Sequence, residues 1–386
     1  MAQLREVVLV GYVRTPFCSA DPEGGAFRNV RSDDLAVVVL CEILARTGVA
    51  AKDIDGVVLG TVEMRGEQAH PGTTIPFLAR FPEHVTGLSV ERACTTAMMA
   101  IHVAAMDIIC GLGDVYVAGG LETTTHFRTP VIEGGMEATT VNTLDLNLGR
   151  GAERLCERFG IERAEMDRWA LESHRRAVRS QRAGVFAEEI VPTEGHLPDG
   201  SRELISQDQG PRADTTLEKI AALPPVYGAD GRITRATCSG QADGAAVCML
   251  MSRERAESEG RTPIATIQHI GAGACHPTDP VYSAIAAAEK VLRLSGRTLD
   301  DFDVIEVNEC FACAPIAFMR YFKAEVSDRM NVNGGACAIG HPIGASGARL
   351  VGTAALELRR RGGGLGLAAI SCGTGQGAAT IIEVRP

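Results

Sequence analysis

The chain lacks any run of about 18 apolar residues, the length a helix needs to cross a bilayer, so no membrane span is expected. Its start, Met1-Ala2-Gln3-Leu4-Arg5-Glu6, carries no charged-then-apolar leader. No secretion signal is read there, and a cytoplasmic location is the expectation. Clustered Lys and Arg are almost missing as well, and with a formal net charge of −10 this excludes a nucleic-acid surface. The one basic triplet, Arg359-Arg360-Arg361, closes a helical run before glycines and reads as favourable charge at a helix C-terminus. Metal-ligand spacing is absent too. The single CxxC, Cys310-Phe311-Ala312-Cys313, has no second CxxC or HxxxH-type partner, so neither a metal nor a tightly bound cofactor is expected.

The chain does have length for a large core, 386 residues, and 12 cysteines scattered singly among small apolar residues, as in Val39-Leu40-Cys41. These read as reduced and buried. Strand and helix signals alternate. Arg5 to Val13 is a β-branched run, and Ser32-Asp33-Asp34 offers a cap and an acidic first turn for a helix from Leu35 to Ala45, stopped by Gly48. Val115-Tyr116-Val117-Ala118-Gly119-Gly120 is the continuous apolar kind of strand buried between helices. Helix Tyr282 to Leu294, strand Phe302 to Val307, helix Ala345 to Arg361 and strand Leu365 to Ile370 repeat that order. The pattern predicts a duplicated, layered α/β fold. Residues 1–120 with 236–262 make an N-terminal half, and 263–386 make a C-terminal half. The stretch 121–235, with its turns, its helix around Met166 to Arg182 and the only tryptophan, Trp169, reads as an inserted substrate-covering region.

Two distant segments carry chemistry. Glu91-Arg92-Ala93-Cys94-Thr95-Thr96-Ala97 puts a cysteine where a strand meets a small-residue helix, and backbone N–H groups there would lower the thiol pKa. Gly340-His341-Pro342 presents a histidine within a glycine-rich turn, an odd setting for one that merely packs, and able to act as base or donor. His84, His174 and His196 lie among polar residues and read as surface positions. Asn308-Glu309-Cys310 follows an apolar strand, at the end where open α/β sheets place ligands. Ser371-Cys372-Gly373-Thr374-Gly375 follows another, and its glycines could expose an oxyanion-binding N–H.

Taken in order along nearly the whole chain, these segments resemble the thiolase family, as do Val13-Arg14-Thr15-Pro16-Phe17, Gly184 to Pro192 and Asp243-Gly244-Ala245-Ala246. The resemblance implies a layered αβαβα fold and CoA-dependent cleavage of 3-ketoacyl-CoA, or the reverse condensation, by a ping-pong route. It implies that Cys94 takes the acyl group with His341 as its base. Asn308 would hold a water at the thioester oxygen, the N–H groups of Cys94 and Gly373 would form an oxyanion hole, and Ser239 would lie near the pantetheine arm. CoA and acyl-CoA would be substrates, and a homodimer or homotetramer is implied.

Four departures from the family pattern stand out. Thr95-Thr96-Ala97 replaces smaller residues after the nucleophile. Ser371 stands where the family has its acid/base cysteine, and a hydroxyl is a poor proton shuttle near neutral pH. Cys310 or Cys372 could replace it, and Cys310 matches a reactive cysteine of sterol-carrier-type thiolases. Leu148-Gly149 and the stretch His276 to Pro280 differ from the usual tunnel motifs, so the acyl length is open. Alternative readings are a ketosynthase-like condensing enzyme, separable by malonyl dependence, and a thiolase-fold subunit needing an accessory protein.

Overall fold

The computed structural model describes residues 4–127 and 145–385. The stretch 128–144 of the expected inserted region therefore lies outside the described residues. One mixed sheet runs through the molecule in the order Val304–Val307, Gly364–Ser371, Gln376–Val384, Ala265–Ala274, Val7–Arg14, Ala242–Ser252, Val115–Thr123, Gly56–Gly60, Thr86–Val90. Neighbours are parallel at the two outer ends, where Gly56–Gly60 pairs with both flanking strands and Val304–Val307 pairs with Gly364–Ser371. The centre is antiparallel, and the halves meet where Val7, Val8 and Leu9 pair with Ile267, Thr266 and Ala265.

Period-2 alternation divides each strand between two layers. In Gly364–Ser371, Ala368 and Ile370 join the central core, while Leu367 and Ala369 join an outer one. In Ala242–Ser252, Ala246, Cys248 and Leu250 face the central core, while Val247, Met249 and Met251 face the opposite outer core. The central core is filled by helices Thr96–Ile109 and Ser346–Arg360, which lie against each other between the two halves of the sheet. Helix Ser32–Thr47 covers one outer face and Ser283–Ser295 the other. The layers are thus αβαβα. The two central helices approach closely because Gly347 has no side chain: a Cβ there would sit 2.3 Å from the Met98 nitrogen.

The helix expected from Leu35 begins at Ser32, whose hydroxyl is buried without a partner instead of capping. Its acidic first turn is formed by Asp33 and Asp34, and Gly48, at φ +67°, ends it with its N–H on Leu44 O. Between the sheet halves, the chain forms helices Leu148–Phe159 and Arg163–Arg182, the hairpin Thr193–His196 with Arg202–Ile205, and the short helix Leu217–Ala221. Arg14 fastens this region to the first strand: its guanidinium donates to Glu189 at 2.8 Å and to both oxygens of Asp208 at 2.6 and 2.8 Å, with all three side chains buried. His174 is also buried, contrary to its expected surface place. Its Nδ1 accepts the Arg212 N–H at 3.2 Å, and burial holds it neutral with a pKa lowered to about 4. Among the described residues, no helix is long and apolar enough to cross a membrane.

Candidate active site

Edge strand Thr86–Val90 delivers Cys94. Past its end the chain passes through Ala93, whose φ of +44° puts a non-glycine residue in the left-handed region. It then enters the 3-10 turn Ala93–Thr95 that opens helix Thr96–Ile109. Side-chain oxygens hold the bend: the Arg92 N–H donates to Thr96 Oγ1 at 2.8 Å, Thr95 Oγ1 donates to the Arg92 carbonyl at 2.7 Å, and the Ala93 N–H donates to Glu91 at 2.6 Å. The threonines noted as departures are therefore staples on a strained backbone. Arg92 also donates to the Gln376 side chain at 2.8 Å, tying this turn to the C-terminal half.

Burial pushes the Cys94 thiol well above its ordinary pKa, and the neighbouring sulfurs of Cys372 and Cys310 add to that. The N–H groups of Gly373 and of Cys94 itself act on the sulfur in the opposite sense. The lowered pKa expected from a helix start is thus corrected: desolvation of a residue only 6 % exposed outweighs the backbone donors. A thiol in this state attacks only after a base removes its proton.

His341 is held by a neighbour the sequence did not reveal: its Nδ1 lies 2.6 Å from Ser346 Oγ, which is also 3.0 Å from the Pro342 carbonyl. With the Ser346 proton on that carbonyl, the serine oxygen accepts from Nδ1 and Nε2 is left unprotonated. Burial and the Arg349 charge lower its pKa to about 3, keeping the ring neutral. Nε2 lies 3.5 Å from Asn308 Nδ2, and Asn308 Oδ1 is buried with no partner among the described residues. A buried amide oxygen left in this way is suited to holding a water.

Asn308 and Cys310 both follow strand Val304–Val307, which joins the histidine pair to the cysteine group. Cys310 Sγ lies 3.4 Å from Ser371 Oγ, both buried. The Cys372 thiol donates to the Gly373 carbonyl at 3.1 Å, and burial raises its pKa to about 12. Gly373 begins a 3-10 turn whose next residue, Thr374, has φ +70°. Cys313 points elsewhere, toward the Ala152 carbonyl at 3.9 Å. Among the described residues, no group of three or more His, Cys, Asp or Glu is placed to hold a metal ion.

The three expected tunnel residues fare differently. Ser239 donates its N–H to the Cys310 carbonyl at 3.0 Å, between Cys238 and Gly240, which line a cavity of about 420 Å³. That cavity runs from Arg212, Lys219 and Arg235 to Cys337 and Gly340, the residue before His341. A second groove of about 580 Å³ shares Arg212 with it and adds Arg175, Arg179 and Arg182, with no carboxylate among its lining residues. Leu148 starts its helix, and the adjacent Gly149 lies under the Tyr227 ring, which meets Phe311 edge-on at 6.1 Å. His276 is exposed and bonded to Thr278 at 2.7 Å. Its ring does not line the cavity, although its turn abuts Gly375.

Glu309 is the second residue the sequence did not single out. It is fully buried and accepts from Trp169 Nε1 at 2.9 Å, Ser173 Oγ at 2.7 Å, Asn331 Nδ2 at 2.8 Å and the Cys337 N–H at 3.1 Å. One carboxylate thereby fixes helix Arg163–Arg182 to the turn that leads to His341. Its signal was an acid following directly on Asn308 at a strand end, where only a buried set of donors would tolerate it.

Residues 7–254 match the family model of the thiolase N-terminal domain, and residues 261–384 match that of the thiolase C-terminal domain. A 3-ketoacyl-CoA thiolase of Marinobacter nauticus is 37% identical over 388 residues, covering 98% of both chains. A beta-ketoadipyl-CoA thiolase of Pseudomonas aeruginosa is 38% identical over 403 residues, covering 98% of this chain and 99% of its own. The crystal structure of the Bacillus anthracis acetyl-CoA acetyltransferase superposes with a TM-score of 0.89 at 34% identity, covering 99% of this chain and 100% of that one. Human mitochondrial 3-ketoacyl-CoA thiolase in complex with CoA gives 0.89 at 29% identity, over 100% of both chains.

Proposed function

The chain belongs to the thiolase family, acyltransferases that cleave 3-ketoacyl-CoA with CoA or run the reverse Claisen condensation, and from that premise we propose that Cys94 carries the acyl group in a ping-pong reaction. His341 Nε2 takes the proton of the Cys94 thiol. The thiolate attacks the C3 carbonyl of the substrate, and the C2–C3 bond breaks with its electron pair leaving on C2. Cys310 gives that carbon its proton, releasing acetyl-CoA. The developing thioester enolate is held by His341, now protonated on Nε2, and by the water on Asn308. The acyl carbonyl on Cys94 faces the N–H groups of Cys94 and Gly373. In the second half, the CoA thiol passes its proton to the Cys310 thiolate and attacks the acyl carbon; the C–S bond to Cys94 breaks, the leaving Cys94 thiolate takes back the proton held on His341 Nε2, and the shortened acyl-CoA is released.

The observation that carries this reading is that one strand end places Asn308 3.5 Å from His341 Nε2 and Cys310 3.4 Å from Ser371 Oγ, with Cys310 and Cys372 both acting on the buried Cys94 thiol. Cys310 is the better proton carrier of the two, because the Cys372 proton is already committed to a carbonyl. The basic cavity at Arg212, Lys219 and Arg235 supports CoA as substrate, with Ser239 beside its pantetheine arm. Leu148 and Tyr227 pack against the same core as Phe311 and are the proposed wall of the acyl side. In the purified protein, Cys94→Ala should abolish thiolysis of acetoacetyl-CoA and of a longer 3-ketoacyl-CoA. Cys310→Ala should stop it as well, and Cys372→Ala should retain it; the reverse order for the last two would move the acid/base role to Cys372. A wild-type chain inert on both substrates would favour a subunit that needs an accessory protein.

A second copy of the chain is the proposed partner. Among the described residues, strand Thr86–Val90 ends the sheet with no strand on its outer side; Leu88 is exposed there at 46%, as are Phe77 and Leu78, at 60% and 55%, on helix Pro71–Leu78 packed against it. An uncovered apolar edge of this kind invites strand pairing. Sedimentation should show a dimer or larger assembly, and a monomer at micromolar concentration would end the proposal.

A further inference from the structure

Strands Val304–Val307 and Gly364–Ser371 run parallel side by side, with Val307 opposite Ala369. Their ends therefore release Cys310 and Ser371 at the same end of the sheet, and the side chains meet at 3.4 Å. Both are buried, at 5% and 3% exposure. Among the described residues, the Ser371 hydroxyl has no partner other than that sulfur. A hydroxyl spent wholly on one buried thiol, beside the bond-making centre, needs a reason.

We propose that Ser371 is the positioning residue for Cys310, holding its sulfur in place and donating a hydrogen bond to the thiolate each time it forms. This rests on the reading of Cys310 as the acid/base above. The geometry allows either atom to donate, which is the useful property: a protonated Cys310 gives its S–H to the serine oxygen, and a thiolate receives the O–H instead. The serine never loses its own proton. In the condensation direction, the Cys310 thiolate removes a proton from the acetyl-CoA methyl. The C–H bond breaks, the S–H bond forms and the electron pair stays on carbon as the enolate. The serine hydroxyl then rotates from donor to acceptor.

The surroundings leave this task to few groups. Burial disfavours the Cys310 thiolate and the Glu309 carboxylate adds to that, while Ser371 and the N–H groups of Phe311 and Cys310 favour it. Of these, Ser371 is the side chain that favours the charged sulfur.

The test uses the full-length enzyme and two readouts: the pH profile of kcat, and exchange of the acetyl-CoA methyl protons in deuterium oxide. Losing a hydrogen bond to a charged group should slow the exchange about tenfold or more in Ser371→Ala. Because the active base is the thiolate, its rising limb should move about one unit to higher pH. Ser371→Thr, which keeps the hydroxyl, should restore the limb. Should Ser371→Ala fail to fold, Ser371→Gly, which also removes the hydroxyl, reads the same limb, which should also move upward. An unmoved limb and unchanged exchange in the serine variants, with exchange abolished in Cys310→Ala, would overturn the proposal and leave the Cys310 reading standing. Full exchange in Cys310→Ala would remove both.

Discussion

The turns that carry Cys94 and His341 solve the same geometric problem by opposite means. The turn before Cys94 forces a non-glycine residue to positive φ and holds it with hydroxyls from Thr95 and Thr96. The turn before His341 uses no side chain of its own at its tightest point: a Cβ on Gly335 would sit 2.3 Å from the Glu309 carboxyl carbon. One turn is shaped by bonds it makes, the other by atoms it omits. The first kind should degrade gradually under substitution, whereas the second should fail at once, since backbone and a buried carboxylate have nowhere to move.

The largest effect is accordingly expected at Gly335→Ala, which should cost about 3 kcal/mol by urea denaturation and lower turnover by displacing the His341 turn. Thr96→Val, nearly the same volume without the hydroxyl, should cost only about 1 kcal/mol and leave measurable thiolysis. Equal losses from the two substitutions would break the contrast.

A pH-dependent effect compares the same two regions. His102, on the helix that follows Cys94, is buried against Thr380 at 2.8 Å, and burial lowers its pKa to about 3, as it does for His341. A histidine lowered in this way is neutral when folded, yet takes up a proton near pH 6.5 once unfolded. Its stability contribution is complete above about pH 6.5 and erodes as the pH falls toward the folded pKa. Between pH 7.5 and 5, wild type should lose about 2 kcal/mol more than His102→Gln. Parallel pH dependence in urea titrations of the two proteins would show that His102 is not held neutral.

Much of the layered fold could be read from local pattern. The apolar run read from Val115 to Gly120 is the inner part of strand Val115–Thr123, and the helix read from Ala345 to Arg361 is Ser346–Arg360. Such elements announce themselves because small and apolar residues recur with one period and glycines bound them. Cys94, His341, Asn308, Cys310, Cys372 and Gly373 were legible for a related reason: each falls at a strand end or in a turn with unusual composition. Their protonation states were not. The Cys94 pKa is set by how many layers enclose it, and the His341 tautomer by a serine five positions on that faces it only after the turn has formed. Glu309 was read past because its four donors come from three separate stretches of chain. His174 was misplaced for the converse reason, since polar neighbours in sequence are not neighbours in space.

The bond from Arg92 to Gln376 bears on how the enzyme is made as well as on how it works. The Gly373 N–H that acts on the Cys94 sulfur and the glutamine that braces its turn lie far along the sequence, Gln376 being 284 residues beyond Arg92. The enclosure that raises the Cys94 pKa and the donors that oppose it therefore arise together, when strand Gln376–Val384 pairs into the sheet. The state of this thiol belongs to the joined halves and not to its own segment.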